Sequence, residues 1–159
     1  MDDFGKFMAR FTKKLEKAVN TDAPKRAGQV AVRMFKQNFK EEGFFGDKWK
    51  DVKRRTNPPK PRKGKKGKKA GKGKKAASKR PILTGPTGNL GRSIHYEAGH
   101  GEVTIISDLP YSAVHNEGLR AGRGKGFQMP RRQFIGDHDK LSKAVAEAIQ
   151  KEIIDKMKR

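Results

Sequence analysis

A run of lysine, glycine and proline in the middle of the chain limits the fold more than any other feature. The segment NPPKPRKGKKGKKAGKGKKAASKRP contains no large apolar residue, so it has nothing to bury that would offset the entropy of ordering its backbone. It is expected to be a long, disordered, Lys/Gly-rich internal loop, with residues 53–80 as its bounds, inserted in a single domain of residues 1–159. Those bounds enclose 15 of the 39 Lys and Arg and no Asp or Glu. Setting them aside leaves 24 basic against 17 acidic residues, which lowers the formal charge from +22 to +7. The fold must therefore come from the two flanks, which together are only moderately basic.

So many like charges repel one another unless a polyanion lies near. Lys63, Lys65, Lys66, Lys68, Lys69, Lys72, Lys74 and Lys75 are thus candidates for contact with DNA phosphate. Such contact is independent of base sequence, since phosphates carry none of it. The bland alternative is a loop that is merely solvated.

In the first flank, Phe4, Phe7, Met8, Phe11, Leu15 and Val19 recur at helical spacing, with Arg10, Lys13, Lys14 and Lys17 between them. The spacing predicts an amphipathic helix over 2–20. Its stripe is expected to pack on this domain or on a neighbouring subunit, in preference to a membrane surface. Thr21 or Asp22 is expected to cap a second helix that carries Pro24 in its first turn and Val30, Met34, Phe35 and Phe39 on its inner face, up to Gly43. Phe44, Phe45 and Trp49 then read as a hydrophobic lid over that helix, in preference to a platform for nucleobases.

The second flank opens on PILTGPTGNLGRSIHYEAGHGEVTIISDLPYSAVHNEG, residues 81–118. Gly85-Pro86 and Thr87-Gly88-Asn89 predict a turn into a short helix at 90–93. Ile94 to Tyr96 and Val103 to Ile106 predict a hairpin reversed at 98–101, with Thr104 at an exposed step. Asp108 is expected to cap a short helix, with Pro110 in its first turn and Gly118 left-handed just past its end. LRAGRGKGFQMPRRQFIG follows as a glycine-arginine arm that becomes extended at 127–129. Apolar residues ringed by arginine are typical of interface centres, so Arg123, Phe127, Met129 and Arg131 are candidate subunit contacts, while Phe134 and Ile135 anchor the arm in the core. Asp137 is expected to cap a last helix with Leu141, Ala144, Val145, Ala148, Ile149 and Ile153 on one face and basic residues at its negative end. The expected class is α+β, three main helices packed on a small antiparallel sheet.

The order of these elements resembles the phage virion morphogenesis family, the Mu-like tail-completion proteins of the head–tail junction. The residues that carry the resemblance are Ile82, Leu83 and Thr84; Gly88, Leu90, Ser93 and Ile94; Tyr111, His115 and Gly118; Arg132, Phe134, Ile135 and Gly136; and upstream Phe35, Phe39, Gly43 and Trp49. The resemblance implies a structural protein of the virion that completes the tail or joins it to the head. It also implies a ring of identical subunits, contact with other tail or connector proteins, and assembly in the bacterial host cytoplasm.

No catalytic constellation competes with this reading, and neither enzyme activity nor a cofactor is expected. GPTGNLGRS has five residues between the framing glycines, Gly85 and Gly91, where a phosphate-binding loop has four, and Arg92 stands at the lysine position. Ser93, His95 and Asp108 match a triad in residue type only, with nothing in the sequence to place them within reach. The four histidines are dispersed and there is no cysteine, so no metal site is expected. MDDFGKF lacks a signal-peptide core and no apolar run approaches a membrane span, so synthesis inside the cell and no membrane contact are expected. The competing class is a small basic module that binds nucleic acid nonspecifically through the lysine run.

Overall fold

The computed structural model describes residues 3–56 and 80–158. The eight candidate phosphate lysines lie outside the described residues. The class is α+β, with three long helical segments and short antiparallel ladders.

The first two helices are continuous. α1 (Asp3–Lys17) passes through a π turn at Ala18–Asp22 into α2 (Ala23–Glu41). Neither Thr21 nor Asp22 caps the second helix, because no chain break exists there to cap. Pro24 explains the π turn. It has no N–H to offer the carbonyl of Asn20 four residues earlier, and the ladder widens so that Ala23 N–H reaches Ala18 O. Asn20 O is taken instead by the N–H of Gly101, at 2.9 Å, from the tip of a hairpin.

That hairpin is β3 (Ile94–Ala98) and β4 (Val103–Ser107), preceded by two smaller elements: the ladder β1 (Gly43–Phe44) with β2 (Asp47–Lys48), and the helical turn α3 (Lys53–Thr56). β1 and β2 reverse through Phe45 and Gly46, both at positive φ as a two-residue hairpin loop requires. The expected start of the flexible loop at 53 is thus displaced, since 53–56 is helical. A short helix, α4 (Asn89–Arg92), leads into β3, and Ile94 pairs with Ser107 through to Ala98 with Val103. Thr104 is exposed as expected.

Beyond the hairpin lies α5 (Ser112–Glu117), closed by Gly118 in the left-handed region at φ 70. A Cβ there would also come within 2.8 Å of the backbone of Arg131, so glycine serves both the cap and the close approach. Asp108 does not cap α5; its carboxylate faces His95 instead, and the helix starts after Tyr111 with no side-chain cap. The arm folds on itself as β5 (Arg120–Ala121) paired with β6 (Phe127–Gln128), so it needs no partner to hold its shape. α6 (Asp139–Lys158) is capped by His138, whose Nδ1 accepts from Lys140 N–H at 3.1 Å, and not by Asp137. It runs antiparallel to α2: Lys140 Nζ donates to Phe45 O at one end, and Lys156 pairs with Asp22 at the other.

The core is Phe35, Phe39, Phe44, Trp49, Ile82, Leu90, Ile94 and Phe134, with Ala31 of α2. Phe39 stands between Trp49, edge-on at 5.6 Å, and Phe134, tilted at 5.0 Å. Trp49 and Phe44 are therefore a lid of the core, as expected. α1 contributes none of its side chains to this core.

Candidate functional site

Most of the residues that carry the resemblance fall into two groups. Phe35, Phe39, Trp49, Ile82, Leu90, Ile94 and Phe134 are buried and form the core. Leu83, Thr84, Tyr111, His115 and Arg132 instead line one open cleft of about 340 Å3, beside Ile82 and Leu90. Its wall at 82–88 is held by Thr84, whose hydroxyl donates to Pro81 O at 2.9 Å and whose carbonyl receives Gly88 N–H at 2.6 Å. Leu83 sits at φ 60, a costly conformation for a leucine that its packing against the core enforces.

The opposite wall rests on the extended segment 132–135, which has no sheet partner. Arg132 N–H donates to His115 O at 2.9 Å, and side chains serve the polar backbone groups that follow. Asn38 Nδ2 donates to Phe134 O, and Asn116 Oδ1 accepts from both Phe134 N–H and Ile135 N–H, at 2.9 and 3.0 Å. Asn116 Nδ2 donates to Ile135 O, and Trp49 Nε1 donates to Gln133 O at 2.7 Å. The buried Arg132 guanidinium donates to Lys50 O. His115 is pushed down from the usual histidine range, first by burial and then by the Arg132 cation. Its Nδ1 is enclosed with no hydrogen-bond partner, which favours the neutral ring.

Beside the cleft, Glu42 fastens both ends of the lysine run. Its carboxylate accepts two N–H groups of Arg55, at 2.6 and 2.9 Å, and the backbone N–H of Ile82 at 2.6 Å. Arg55 also donates to Arg80 O at 3.0 Å. The bidentate Arg55 contact holds the Glu42 carboxyl below its usual range, and Glu42 raises Arg55 in turn. Nothing in the sequence marks Glu42 for this role except its place at the end of a helix.

The candidate subunit contacts lie together on the arm hairpin. Phe127 is 57% exposed, Arg123 is in its turn, and Met129 is half-buried, donating its N–H to Leu119 O. Arg131 is exposed, 3.9 Å from Glu117. Phe134 is fully buried and Ile135 packs against the core, so both anchor the arm as expected.

His95 and Asp108 prove to be neighbours, with Nδ1 and Oδ2 3.4 Å apart, which corrects the expectation that nothing brings them within reach. The same Nδ1 faces the carbonyl of Ser93 at 3.0 Å, while Ser93 Oγ is engaged with Leu90 O and Ser107 Oγ. That arrangement ties the base of the hairpin and does not align a nucleophile with a base. Among the described residues no three His, Asp or Glu side chains converge as a metal site, and no helix is long and apolar enough to cross a membrane.

These features define a small structural module: an aromatic core, a hairpin docked on one long helix, and apolar side chains left on the surface. The chain belongs to the phage virion morphogenesis family, whose model it matches over residues 8–154. No curated protein and no solved structure matches it. Family membership gives it a structural role in the phage virion.

Proposed function

We propose that the chain is a subunit that completes the tail or joins it to the head, acting as a ring of identical copies and without a catalytic step. The observation that carries this reading is the family match over 8–154. It is supported by surface that a lone subunit leaves uncovered, on α1 and on the arm. Arg123, Phe127, Met129 and Arg131 are the contacts assigned to a neighbouring subunit or tail protein, and the site of action is the virion, after assembly in the host cytoplasm. Negative-stain images and a mass measurement of the purified protein test it: closed rings are expected, and a monomer at every concentration overturns the reading.

The 15 basic residues of 53–80, with no acid among them, favour a second activity in the same particle. Lys63, Lys65, Lys66, Lys68, Lys69, Lys72, Lys74 and Lys75 are proposed to touch DNA phosphate without sequence preference. A log affinity for DNA that does not fall with log salt overturns this part alone.

A further inference from the structure

The large apolar side chains left exposed among the described residues fall, apart from Ile154, into two sets. The first is the stripe of α1: Phe4, Phe7, Met8, Phe11 and Leu15, continued by Val19, with exposures from 69% at Phe4 to 36% at Leu15. Those six residues leave on the order of 500 Å2 of apolar surface in water, at the upper end of what a monomer carries. A helix of this length is also marginal in water unless its apolar face is packed. The second set, Tyr111, Leu119 and Phe127, lies around α5 and the arm. α5 also borders a groove of about 450 Å3 that none of these three lines, floored by Leu109, Pro110, Ala113 and Ile135 and edged by Asp108 and Glu117.

The two surfaces are complementary in charge. α1 carries five cations and two anions, whereas the groove has two carboxylates and no cation in its lining. Their ion pairs are exposed, Asp108 with His95 at 3.4 Å and Glu117 with Arg131 at 3.9 Å, and Glu117 also accepts from Asn116 Nδ2. Such pairs are worth roughly 0–1 kcal/mol and exchange readily.

The fold keeps the two apart within one chain. Along α2 and the π turn, Phe39 lies against Gly91, Gly28 against the ring of Tyr96, and Asn20 against Gly101. The helix therefore runs from the tip of the β3–β4 hairpin towards its open end, and α1, which precedes it, extends beyond the tip. The groove begins at Ser107, at the opposite, open end. A chain thus carries the stripe at one end and the groove at the other, the arrangement of a heterologous contact that builds rings.

We propose that α1 of one copy seats its apolar stripe in the Leu109–Ile135 groove of a second copy, head to tail. This rests on the reading of the chain as a self-assembling subunit, and it identifies one of its contacts. Burying the stripe and an equal area around the groove comes to about 1,000 Å2, the lower bound of a specific interface.

Complementation between two full-length variants tests it. Phe7→Glu with Phe11→Glu spoils the stripe, and Ala113→Arg blocks the groove; all three positions are exposed, so circular dichroism should match the wild type. Light scattering should give each variant the mass of one chain. Their mixture should give pairs, because each still supplies the half that the other lacks. The chain has no cysteine, so Phe7→Cys mixed with Ala113→Cys should also form a disulfide between copies. A wild type that is monomeric before any substitution overturns the ring reading and this contact with it. Either variant assembling as the wild type does, or a mixture that yields neither pairs nor the disulfide, overturns the contact and leaves the ring reading standing. Binding to anionic vesicles that the stripe variant loses, with assembly unaltered, assigns the stripe to lipid and overturns it too.

Discussion

Two asparagines and a glutamate hold together what the aromatic residues fill. Asn116 supplies the acceptor for Phe134 N–H and Ile135 N–H, so Asn116→Ala leaves two donors of a buried segment without partners. A loss of roughly 1–3 kcal/mol is expected for each group orphaned, read as a lower urea midpoint at unchanged slope. Phe134→Ala should cost roughly 3–5 kcal/mol, since the ring is wholly enclosed beside Phe39; an unaltered melt would contradict that placement. Acid should act in two steps. His115 is depressed in the fold, so the unfolded chain binds its proton first, and stability falls as the pH drops below the ordinary 6.5. Glu42 is also depressed, and its contribution is lost as the pH falls below 4.5. His115→Gln should remove the first decline and leave the second, which urea melts from acid to neutral pH would reveal. Phe39 was legible from helical spacing, Trp49 from the aromatic cluster expected to cover that helix, and Phe134 from its place as an apolar anchor at the end of the arm. Asn38, Glu42 and Asn116 were not, since a polar side chain that serves another segment's backbone leaves no periodic trace.

Helix periods and turn residues made most elements legible, including the β3–β4 hairpin and the left-handed Gly118. Their boundaries failed where a tertiary contact replaced the local rule. Pro24 looked like a helix start, yet Gly101 N–H satisfies the carbonyl that proline abandons, and the helix continues through. Asp108 and Asp137 looked like caps, but His95 draws the first, and His138 caps α6 in place of the second. At this scale the Glu42 clasp carries a prediction. Arg55, Arg80 O and Ile82 N–H meet on one side of the core, so both ends of the lysine run are fastened independently of the residues between them. Deleting residues 60–79 should leave the helix signal per residue and the melting temperature close to wild type. A fall of more than about 3 °C, roughly 1 kcal/mol in a domain of this size, would mean that the deleted residues contribute to the fold. If they touch DNA, the same deletion should flatten the slope of log affinity against log salt by about 0.9 for each phosphate that is no longer neutralised.

For the whole molecule, the arm separates assembly from folding. Although rich in glycine, it is ordered within the chain by the pairing of β5 with β6. Phe127 is nevertheless turned outward, and Met129 only half covered, on a hairpin whose backbone is held by its own ladder and by Met129 N–H to Leu119 O. Their apolar surface therefore contributes little to the stability of the subunit, while arginines 120, 123 and 131 surround it as in the centre of an interface. Replacing Phe127 and Met129 together with Ser should lower the assembled mass measured by light scattering and leave the subunit's stability in urea within about 0.5 kcal/mol of wild type, the range of ordinary surface substitutions. Phe134→Ala, a few residues further on, should do the reverse, weakening the subunit through its core. An unchanged assembly in the double variant would free the arm hairpin from the subunit contact and leave the α1 stripe to be judged on its own.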